Sequence, residues 1–571
     1  MWTLEIGSNG DAVAPSLVHL TSTTKPDKRG NTKTVEGQSH ITPVVDRTFG
    51  VSAFIPHDRL GHVLGWCDEE SKPERIAASH AAYVGLIEQW ANAEGANDPI
   101  ARALQQFVRS DATRTIQQPD KWTSKDNVLL TVGGILAHRA VSLRTFWTRH
   151  VESVKGSGII GECLICGRVG AVVDTLPQMV KGTLVPGGRA GGVAPISVNA
   201  SAFGYGLTKG LAHVPICLAC AQAVPAALNH LLSDEGRRKR TSSTATTWWI
   251  KGTTEFDPLD FLDQAKEGDI AGLIASVESA MPVAAQIDPS VFNGLVVSGN
   301  GPRMIINDWM SMPLRDLQAN IARWFVDTET EPAWASESRY TPLWLLATST
   351  GRFDSATSRY RQLGDTAGHH PDKIVESLRH AALNGSTPPH QLATWVLIRV
   401  SSDHHIDTSR AALLRLALRR TYQKGNLMPG LDTQCTDPCY VAGRLFGEYD
   451  QIQYAAATID GGDAPNATFA DRHFSGAITN PAMAIASGEK QAAAWLSRLR
   501  RNGRDALYSR ALDEIVALLE PNAPIPLRAT IEQQAMFVLG FHHQRAANRQ
   551  ARQAAAERKR TAETTTTDND D

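Results

Sequence analysis

Hydrophobic residues recur at intervals of three and four in some segments of the first 330 residues and alternate with polar residues in others. Ala82, Leu86 and Trp90 share one face of a predicted helix, and the segment 314–325 repeats this interval. The segment 292–309 has two strand-like runs around Ser-Gly-Asn-Gly-Pro, which predicts a β-hairpin. Further helices are predicted at 99–108, 136–150 and within 255–285, and a buried strand at 248–250. This part of the chain therefore mixes helices and strands.

Beyond a polar stretch at 328–338 the pattern is helical. Asp437-Pro438 and Asn480-Pro481 are typical helix starts, because Asp or Asn caps the first turn and proline fits its first position. Three glycines mark predicted helix ends: Gly425, Gly461 and Gly503. The predicted fold class is α+β, with a mixed N-terminal region that carries a four-cysteine zinc-binding insert, followed by a C-terminal all-α helical bundle. The predicted domains are 1–155, 156–335 and 336–545, with a disordered polar tail at 546–571.

The composition is that of a globular protein. Of the 571 residues, 42% are hydrophobic and 20% charged, and the formal net charge of −2 argues against wholesale coating of nucleic acid. No run of about twenty apolar residues is present, so no membrane span is predicted. The N-terminus lacks the basic and apolar regions of a secretion signal, and we therefore expect a cytoplasmic protein.

Four of the seven cysteines form two CxxC pairs, Cys163/Cys166 and Cys217/Cys220. Four thiolates can bind one tetrahedral ion, usually zinc, although the separation of the pairs exceeds the ~15–20 residues typical of zinc ribbons. The alternatives are two disulfides or four unrelated core cysteines. With four protein ligands the site would be closed, so we expect a structural zinc and no catalysis there.

Two basic segments accompany the cysteines. The segment between the pairs is rich in glycine and includes Lys181, Arg189 and Asn199, a composition typical of a loop that approaches a ligand closely or simply of a flexible surface loop. After the second pair come four consecutive cations: Arg237, Arg238, Lys239 and Arg240. Such a cluster either contacts a nucleic-acid backbone or lies on a solvated turn.

Several of these segments resemble the large subunit of the type I-C CRISPR surveillance complex, Cascade. That family has a Lys-Gly-Val-x-Gly-Gly-Gln-like run, then Ser-Phe-Asn and Ala-Phe-x-Ser-Tyr-Gly. The similar residues here are Lys181 to Arg189, Ser197 to Asn199, and Ala202 to Gly206. The segment 532–545 resembles the family's C-terminal helix. Arg189 stands where glutamine is common, and many members lack the second cysteine pair, so the zinc prediction depends on spacing and not on the family.

The resemblance implies a subunit that recognises the short PAM beside a DNA target, binds and opens the double-stranded DNA, and supports formation of the R-loop. Lys181, Asn199 and the loop to Arg189 would lie near the PAM duplex, with the Arg237–Arg240 cluster on the DNA backbone. The implied partners are a CRISPR RNA-containing complex with repeated backbone subunits and small subunits, target double-stranded DNA, and a recruited helicase-nuclease. No membrane partner is expected.

Catalytic motifs are absent from the sequence, which has no P-loop, no Gly-x-Ser-x-Gly and no His-Glu-x-x-His. Asp257, Asp260 and Asp263 fall at three-residue steps and are more simply explained as a solvated helix face. We therefore expect a protein that is not an enzyme. The alternative is a zinc-stabilised nucleic-acid-processing enzyme, such as a nuclease, whose carboxylates are dispersed in the sequence.

The family is also known for a small subunit translated from within the same gene. Met428 lies in a loop marked by glycine and proline, just before the predicted helix start at Asp437, so a chain beginning there would contain whole helices. The alternative is that Met428 is only a loop residue. Four arginines of this region could contact a displaced DNA strand: Arg498, Arg500, Arg501 and Arg504.

Overall fold

The computed structural model describes residues 2–19, 22–26, 32–36, 53–110, 112–198, 200–204, 210–211, 213–252, 256–280, 290–332 and 337–567. The chain divides into two compact units. The first comprises Met1–Thr247 and Val296–Asp308, and the second comprises Trp248–Leu295 and Trp309–Asp571. The predicted fold class, α+β with sheets towards the N-terminus and helices towards the C-terminus, is confirmed.

A mixed sheet lies at the centre of the first unit. The strands of this unit are β1 (Trp2–Ile6), β2 (Ala12–His19), β3 (Ser22–Pro26), β4 (Thr32–Glu36), β5 (Asp58–Arg59), β6 (Asn127–Val132), β7 (Ile135–Leu136), β8 (Gly156–Glu162), β9 (Val169–Val173) and β10 (Arg238–Arg240). The sheet has the order β2-β1-β6-β5, with β7 paired to β6. β1 and β6 are parallel and place Leu4 opposite Leu130, and both side chains are buried.

Six helices accompany these strands in the first unit: α1 (Leu60–Val63), α2 (Pro73–Asn92), α3 (Pro99–Arg109), α4 (Ala112–Thr115), α5 (Val141–Lys155) and α6 (Leu218–Ser233). The helix predicted around 82–90 is part of α2, and it buries Leu86 and Trp90 as predicted. α3 confirms the prediction at 99–108, and the Asp98 side chain caps it by accepting from the Ile100 N–H. The helix predicted at 136–150 begins only at Val141, because a 3-10 turn occupies Ala137–Arg139.

A second sheet has the order β10-β11-β12-β13, where β11 is Ala245–Lys251, β12 is Val291–Asn300 and β13 is Arg303–Pro313. The division between the units passes through β11, β12 and β13. The predicted hairpin is confirmed, and Gly301 takes φ +58° in its turn, a conformation that favours glycine. Trp248 is buried in β11, as predicted for a strand at 248–250.

Helices dominate the second unit: α7 (Pro258–Gln264), α8 (Glu267–Ala280), α9 (Leu314–Thr328), α10 (Leu343–Ser349), α11 (Ile374–Asn384), α12 (Leu392–Asp403), α13 (Thr408–Arg420), α14 (Pro438–Thr458), α15 (Phe469–Thr479), α16 (Pro481–Arg500), α17 (Ala506–Val516) and α18 (Ile531–Thr567). The Asp437 side chain caps α14 by accepting from two backbone N–H groups, as predicted. α16 begins at Pro481, but the Asn480 side chain makes no capping bond. A short hairpin, β14 (Phe353–Asp354) with β15 (Arg359–Tyr360), adds strands to the region predicted as all-α.

The second unit begins well before the boundary predicted near residue 335. Its segments 248–295 and 309–332 contribute α7, α8 and α9. α9 packs against α11 and α13, which joins it to the C-terminal helices. The periodicity of a single helix identifies its buried face but not the helix that covers this face, so the pattern alone did not place α9 with that unit.

The C-terminal end also differs from expectation. A disordered tail was predicted from residue 546, but α18 continues to Thr567, and residues 568–571 lie outside the described part of the chain. Ala546 is buried, so packing extends beyond the predicted end. The following residues are mostly alanine, glutamine and arginine, which are strong helix formers, and this explains the continuation.

Candidate metal centre and nucleic-acid interface

The first cysteine pair, residues 163–166, occupies the turn of the β8–β9 hairpin and is called the first knuckle here. The Cys163 N–H donates to the Arg168 carbonyl at 2.9 Å, and the Gly167 N–H donates back to the Cys163 carbonyl at 2.8 Å. Gly167 takes φ +70°, which a side chain would disfavour. The turn therefore fixes the direction of both thiols through its own backbone.

The second pair, residues 217–220, opens helix α6 and is called the second knuckle. Cys217 is the residue before the first helical position, and it also forms an isolated bridge with Val172 of β9. The Leu164 N–H donates to the Pro215 carbonyl at 3.0 Å, which ties the two knuckles together. Cys220 lies in the first helical turn, so the start of α6 brings its sulfur within 4.8 Å of that of Cys217.

The fold brings the four sulfur atoms into one cluster. All lie within 4.8 Å of one another, and the Sγ atoms of Cys166 and Cys217 are 3.8 Å apart. Zn–S bonds of about 2.3 Å in a tetrahedron give S···S distances of about 3.8 Å, so the spacing fits one zinc ion. The cysteines are free thiols, and this arrangement is neither two disulfides nor four unrelated core positions. Among the described residues, these four cysteines form the cluster of metal-ligating side chains (at least three His, Cys, Asp or Glu) that could hold a metal ion.

The thiols perturb one another. Burial acts to raise the pKa of the Cys163 thiol, but backbone hydrogen bonds from both knuckles outweigh it and lower this pKa to about 6. Burial, together with hydrogen bonds to the other three thiols, raises the pKa of Cys220 to about 12. Opposite shifts are typical of acidic groups that share one site, and a divalent cation would take the place of the shared protons. These four residues could therefore hold a structural zinc ion.

The glycine-rich segment 181–194, called the glycine loop, is fixed to the tip of the β12–β13 hairpin. The Gly299 N–H donates to the Pro186 carbonyl at 2.7 Å, and the Arg189 N–H donates to the Gly301 carbonyl at 2.8 Å. A Cβ atom at Gly299 would lie 2.3 Å from the Gly188 nitrogen, so only glycine allows this approach. The alternative of a simple flexible loop does not describe this segment.

Helix α6 holds the other end of the glycine loop. The Asn229 side chain accepts from the Lys181 N–H at 2.8 Å and donates to the Met179 carbonyl at 3.0 Å. The side chains of Lys181 and Arg189 are exposed. The inner edge of the glycine loop is thus fixed by hydrogen bonds, while its cations face solvent. Asn199, the third residue predicted for this interface, lies outside the described residues.

The predicted cluster Arg237–Arg240 is less uniform than its sequence indicates. Arg238 is partly buried and donates to the Leu232 carbonyl at 2.7 Å, and Arg240 donates to the Thr183 carbonyl at 2.9 Å. Arg237 lies 4.0 Å from Asp234. Arg238–Arg240 form strand β10, in which side chains alternate between two faces, so Lys239 points away from its neighbours. Two of the four cations, Arg238 and Arg240, therefore form hydrogen bonds within the protein.

Exposed Phe203 and half-buried Arg303 form a pair that sequence reasoning did not select as a site. Phe203 is 58% exposed, and the Arg303 guanidinium lies 4.9 Å from its ring centroid. Arg303 follows the hairpin turn and is bridged to Ala194, so the pair lies beside the glycine loop. Phe203 did appear in a family-like motif, but exposure of an aromatic ring outside a periodic element leaves no signal in the sequence.

The carboxylates of the alternative, nuclease-like hypothesis have structural contacts. Asp257 caps α7 by accepting from the N–H groups of Leu259 and Asp260. Asp260 accepts from the Gln264 side chain at 2.6 Å, and Asp263 accepts from the Trp344 N–H at 3.3 Å. Capping explains Asp257, whereas Asp260 and Asp263 are half-buried and contact neighbouring groups instead of forming a fully solvated face.

Comparison with known proteins identifies the family. No curated protein matches the chain. Among the described helices, none is both long enough and apolar enough for a bilayer crossing. The family described as "CRISPR-associated protein (Cas_Csd1)" matches residues 1–549, which is nearly the whole sequence. Because this match covers nearly the whole sequence, the chain belongs to the Cas_Csd1 family of CRISPR-associated proteins.

Proposed function

We propose that this protein is the non-catalytic large subunit of a type I-C CRISPR RNA-guided surveillance complex, in which it recognises the PAM, opens the target duplex and supports R-loop formation. Family membership supports a role in a CRISPR effector complex. The observation that supports the DNA-reading role is the fixed glycine loop, which presents Lys181 and Arg189 beside the Phe203–Arg303 pair.

The chemistry of this surface suits duplex DNA. Exposed Lys181 and Arg189 can hold phosphates or base edges, and the fixed backbone would keep them in register on the duplex. An exposed aromatic ring such as Phe203 can insert between base steps and unstack them, which is the first event in opening a duplex. The other cationic surface, around Arg237 and Lys239, would hold the DNA backbone without reading sequence.

The proposed assembly contains CRISPR RNA, repeated backbone subunits and small subunits, and it binds target double-stranded DNA before a helicase-nuclease is recruited. The proposed compartment is the cytoplasm, where thiols stay reduced and available for zinc. Zinc would have a structural role only, because four protein ligands leave no open position for a substrate.

We expect Lys181→Ala to weaken binding of a PAM-containing duplex by about tenfold while leaving a duplex with a scrambled PAM within twofold, as for loss of a base contact. Asn199→Ala should behave similarly. Binding of both duplexes is measured on the complex assembled with CRISPR RNA. Lys121→Gln, which removes an exposed cation elsewhere in the first unit, is the control. Equal losses on both duplexes would assign the glycine loop to the DNA backbone and not to the bases.

The double variant Arg237→Gln/Lys239→Gln should instead weaken binding of all duplexes alike. Each lost phosphate contact should reduce the slope of log affinity against log salt by about 1. Arg238 and Arg240 are left unchanged because their hydrogen bonds to carbonyl groups support the fold. A salt slope identical to that of the unaltered complex would show that this surface does not contact DNA.

The alternative of a zinc-stabilised nuclease has a direct test. The purified protein is incubated with labelled duplex and single-stranded DNA and Mg²⁺ or Mn²⁺. We propose that no cleavage occurs. Metal-dependent cleavage that a carboxylate substitution abolishes would contradict the non-catalytic assignment.

We also propose that the gene gives a second, shorter product beginning near Met428. Met428 is exposed in the loop between α13 and α14, and a chain starting there contains α14 to α18 intact. α14 packs closely on α18, so this fragment retains a major contact of the second unit. It would lose α12 and α13 and so uncover the faces of α18 that these helices contact.

Expression of the intact gene should therefore yield the full chain and a fragment with Met428 at its N-terminus, identified by mass spectrometry. Met428→Ala should remove the fragment and leave the full chain, because the start codon is lost while an exposed loop side chain is changed. A fragment that survives the substitution would place initiation elsewhere. If the unaltered gene yields no fragment, this proposal fails.

A further inference from the structure

An open cavity of about 460 Å³ lies in the second unit, between residues of α14, α16, α17 and α18. Its volume falls within the range of about 300–1,000 Å³ that is typical of small-molecule sites. Its apolar floor includes Ile459 and Leu499, which belong to a small buried cluster with Ile452 and Ala456. The cavity is therefore supported by its own packed core.

The walls present aromatic and apolar surface. Tyr454 is 40% exposed and Leu507 is 74% exposed, although both line the cavity. Tyr508 lines it as well and packs against the small buried cluster, and Gln451 adds an amide beside it. Two tyrosine rings and an apolar floor offer flat surfaces on which a planar ring could stack.

Two guanidinium groups line the same cavity. Arg504 and Arg552 are exposed, and within the described part of the chain neither forms an ion pair with a carboxylate, in contrast to Arg500 with Asp505. Arg552 lies 5.7 Å from the Tyr454 ring centroid. Burial and the nearby charges of Arg545 and Arg552 lower the pKa of Arg549 to about 10, so positive charge accumulates along α18. Such a surface favours an anion.

We propose that this cavity binds one nucleotide, with its base against the tyrosines and its phosphate on Arg504 and Arg552. The two cations alone would suit any anion, such as an acidic peptide. The flat aromatic and apolar walls beside them favour a ligand in which a planar base is linked to a phosphate. The nucleotide could be free or could belong to a single strand. The site uses residues of the second unit only and goes beyond the proposed PAM reading.

The test uses the full-length protein and three probes: a fluorescent oligo-dT single strand, the same strand with several abasic positions, and the mononucleotide dTMP as competitor. Affinity for oligo-dT should exceed that for the abasic strand by about tenfold, as expected for a stacked base. Competition by dTMP at sub-millimolar concentration would indicate a free nucleotide, and its absence would indicate a strand nucleotide. Both outcomes support the site.

Variants locate the binding. Tyr454→Ala, Arg504→Gln and Arg552→Gln should each weaken oligo-dT binding by about tenfold. Arg510→Gln is the matched control, because this substitution also removes one cation, but from a position on α17 that does not line the cavity. Thermal unfolding confirms that each variant is folded. A strand that carries 4-thiothymidine should also crosslink to peptides containing Tyr454 or Tyr508.

The proposal is overturned if neither oligo-dT nor dTMP binds, or if the abasic strand binds as well as oligo-dT. It is also overturned if the cavity variants behave like Arg510→Gln and no crosslink reaches either tyrosine. These outcomes are independent of the PAM measurements, which use duplex DNA and variants of the first unit. Failure of one proposal therefore leaves the other testable.

Discussion

Cys217→Ser protein should contain well under one equivalent of zinc, whereas the unaltered protein should contain about one. It should also unfold about 10 °C lower, because metal binding contributes to folding free energy and a loss of a few kcal/mol shifts the melting temperature of a large unit by this order. The position is sensitive because Cys217 joins β9 to the start of α6. Metal content is measured by mass spectrometry and unfolding by calorimetry.

Cys67→Ser is the matched control, because Cys67 is an exposed thiol outside the cluster. It should leave both metal content and melting temperature unchanged. A strong chelator should lower the melting temperature of the unaltered protein to that of Cys217→Ser and have little further effect on the variant. A metal-free unaltered protein of equal stability would contradict the zinc assignment.

The four-cysteine cluster and the glycine loop are connected through α6. This helix begins at the second knuckle, and Asn229 near its other end holds the backbone at Lys181. Loss of the metal should therefore disturb the glycine loop as well as the knuckles. Under the proposed function, this connection would link a structural metal in the cysteine cluster to DNA binding at the glycine loop.

Spacing in the sequence was enough to predict the four-cysteine cluster and several helices and strands. Two CxxC pairs supply their ligands in two local turns, so the only unknown was whether the fold would bring the pairs together. The hairpin at 292–309 and the cap at Asp437 depend on neighbouring residues and were confirmed for the same reason. Local chemistry is what a single sequence reveals most directly.

The surroundings of the glycine loop could not be predicted in this way. Its hydrogen-bond partners, Gly299 and Gly301, lie more than one hundred residues further along the chain, and glycine has no side chain whose pattern would indicate them. The Arg237–Arg240 cluster was easy to recognise in the sequence, but the contacts of its side chains could not be predicted. Four adjacent cations predicted one charged surface, but Arg238 and Arg240 donate to backbone carbonyls, and strand alternation turns Lys239 to the other face of β10.

Gly540→Ala should destabilise the second unit by about 3 kcal/mol, at the upper end of the usual cost of overpacking. A Cβ atom at Gly540 would lie 2.2 Å from the Tyr440 carbonyl oxygen, which is backbone and cannot rotate away. α18 and α14 would have to separate along the contact that Phe541 and Phe446 share. Urea unfolding followed by circular dichroism, which reports mainly on these helices, measures the loss.

Gly476→Ala provides the matched control for Gly540→Ala. Gly443→Ala, alone and combined with Gly540→Ala, provides a second test of the same helix contact. Gly476 lies within α15 with nothing near its missing side chain, so alanine there should stabilise by about 0.5–1 kcal/mol. Gly443→Ala should cost about as much as Gly540→Ala, since its Cβ would lie 2.1 Å from the Phe537 carbonyl oxygen at the same helix crossing. Once one substitution has separated the helices, the second has less to displace. The free energy of unfolding of the double variant should therefore fall by at least about 1 kcal/mol less than the sum of the two single losses. Additive losses would show that each clash relaxes locally and that the two glycines do not set the distance between α14 and α18.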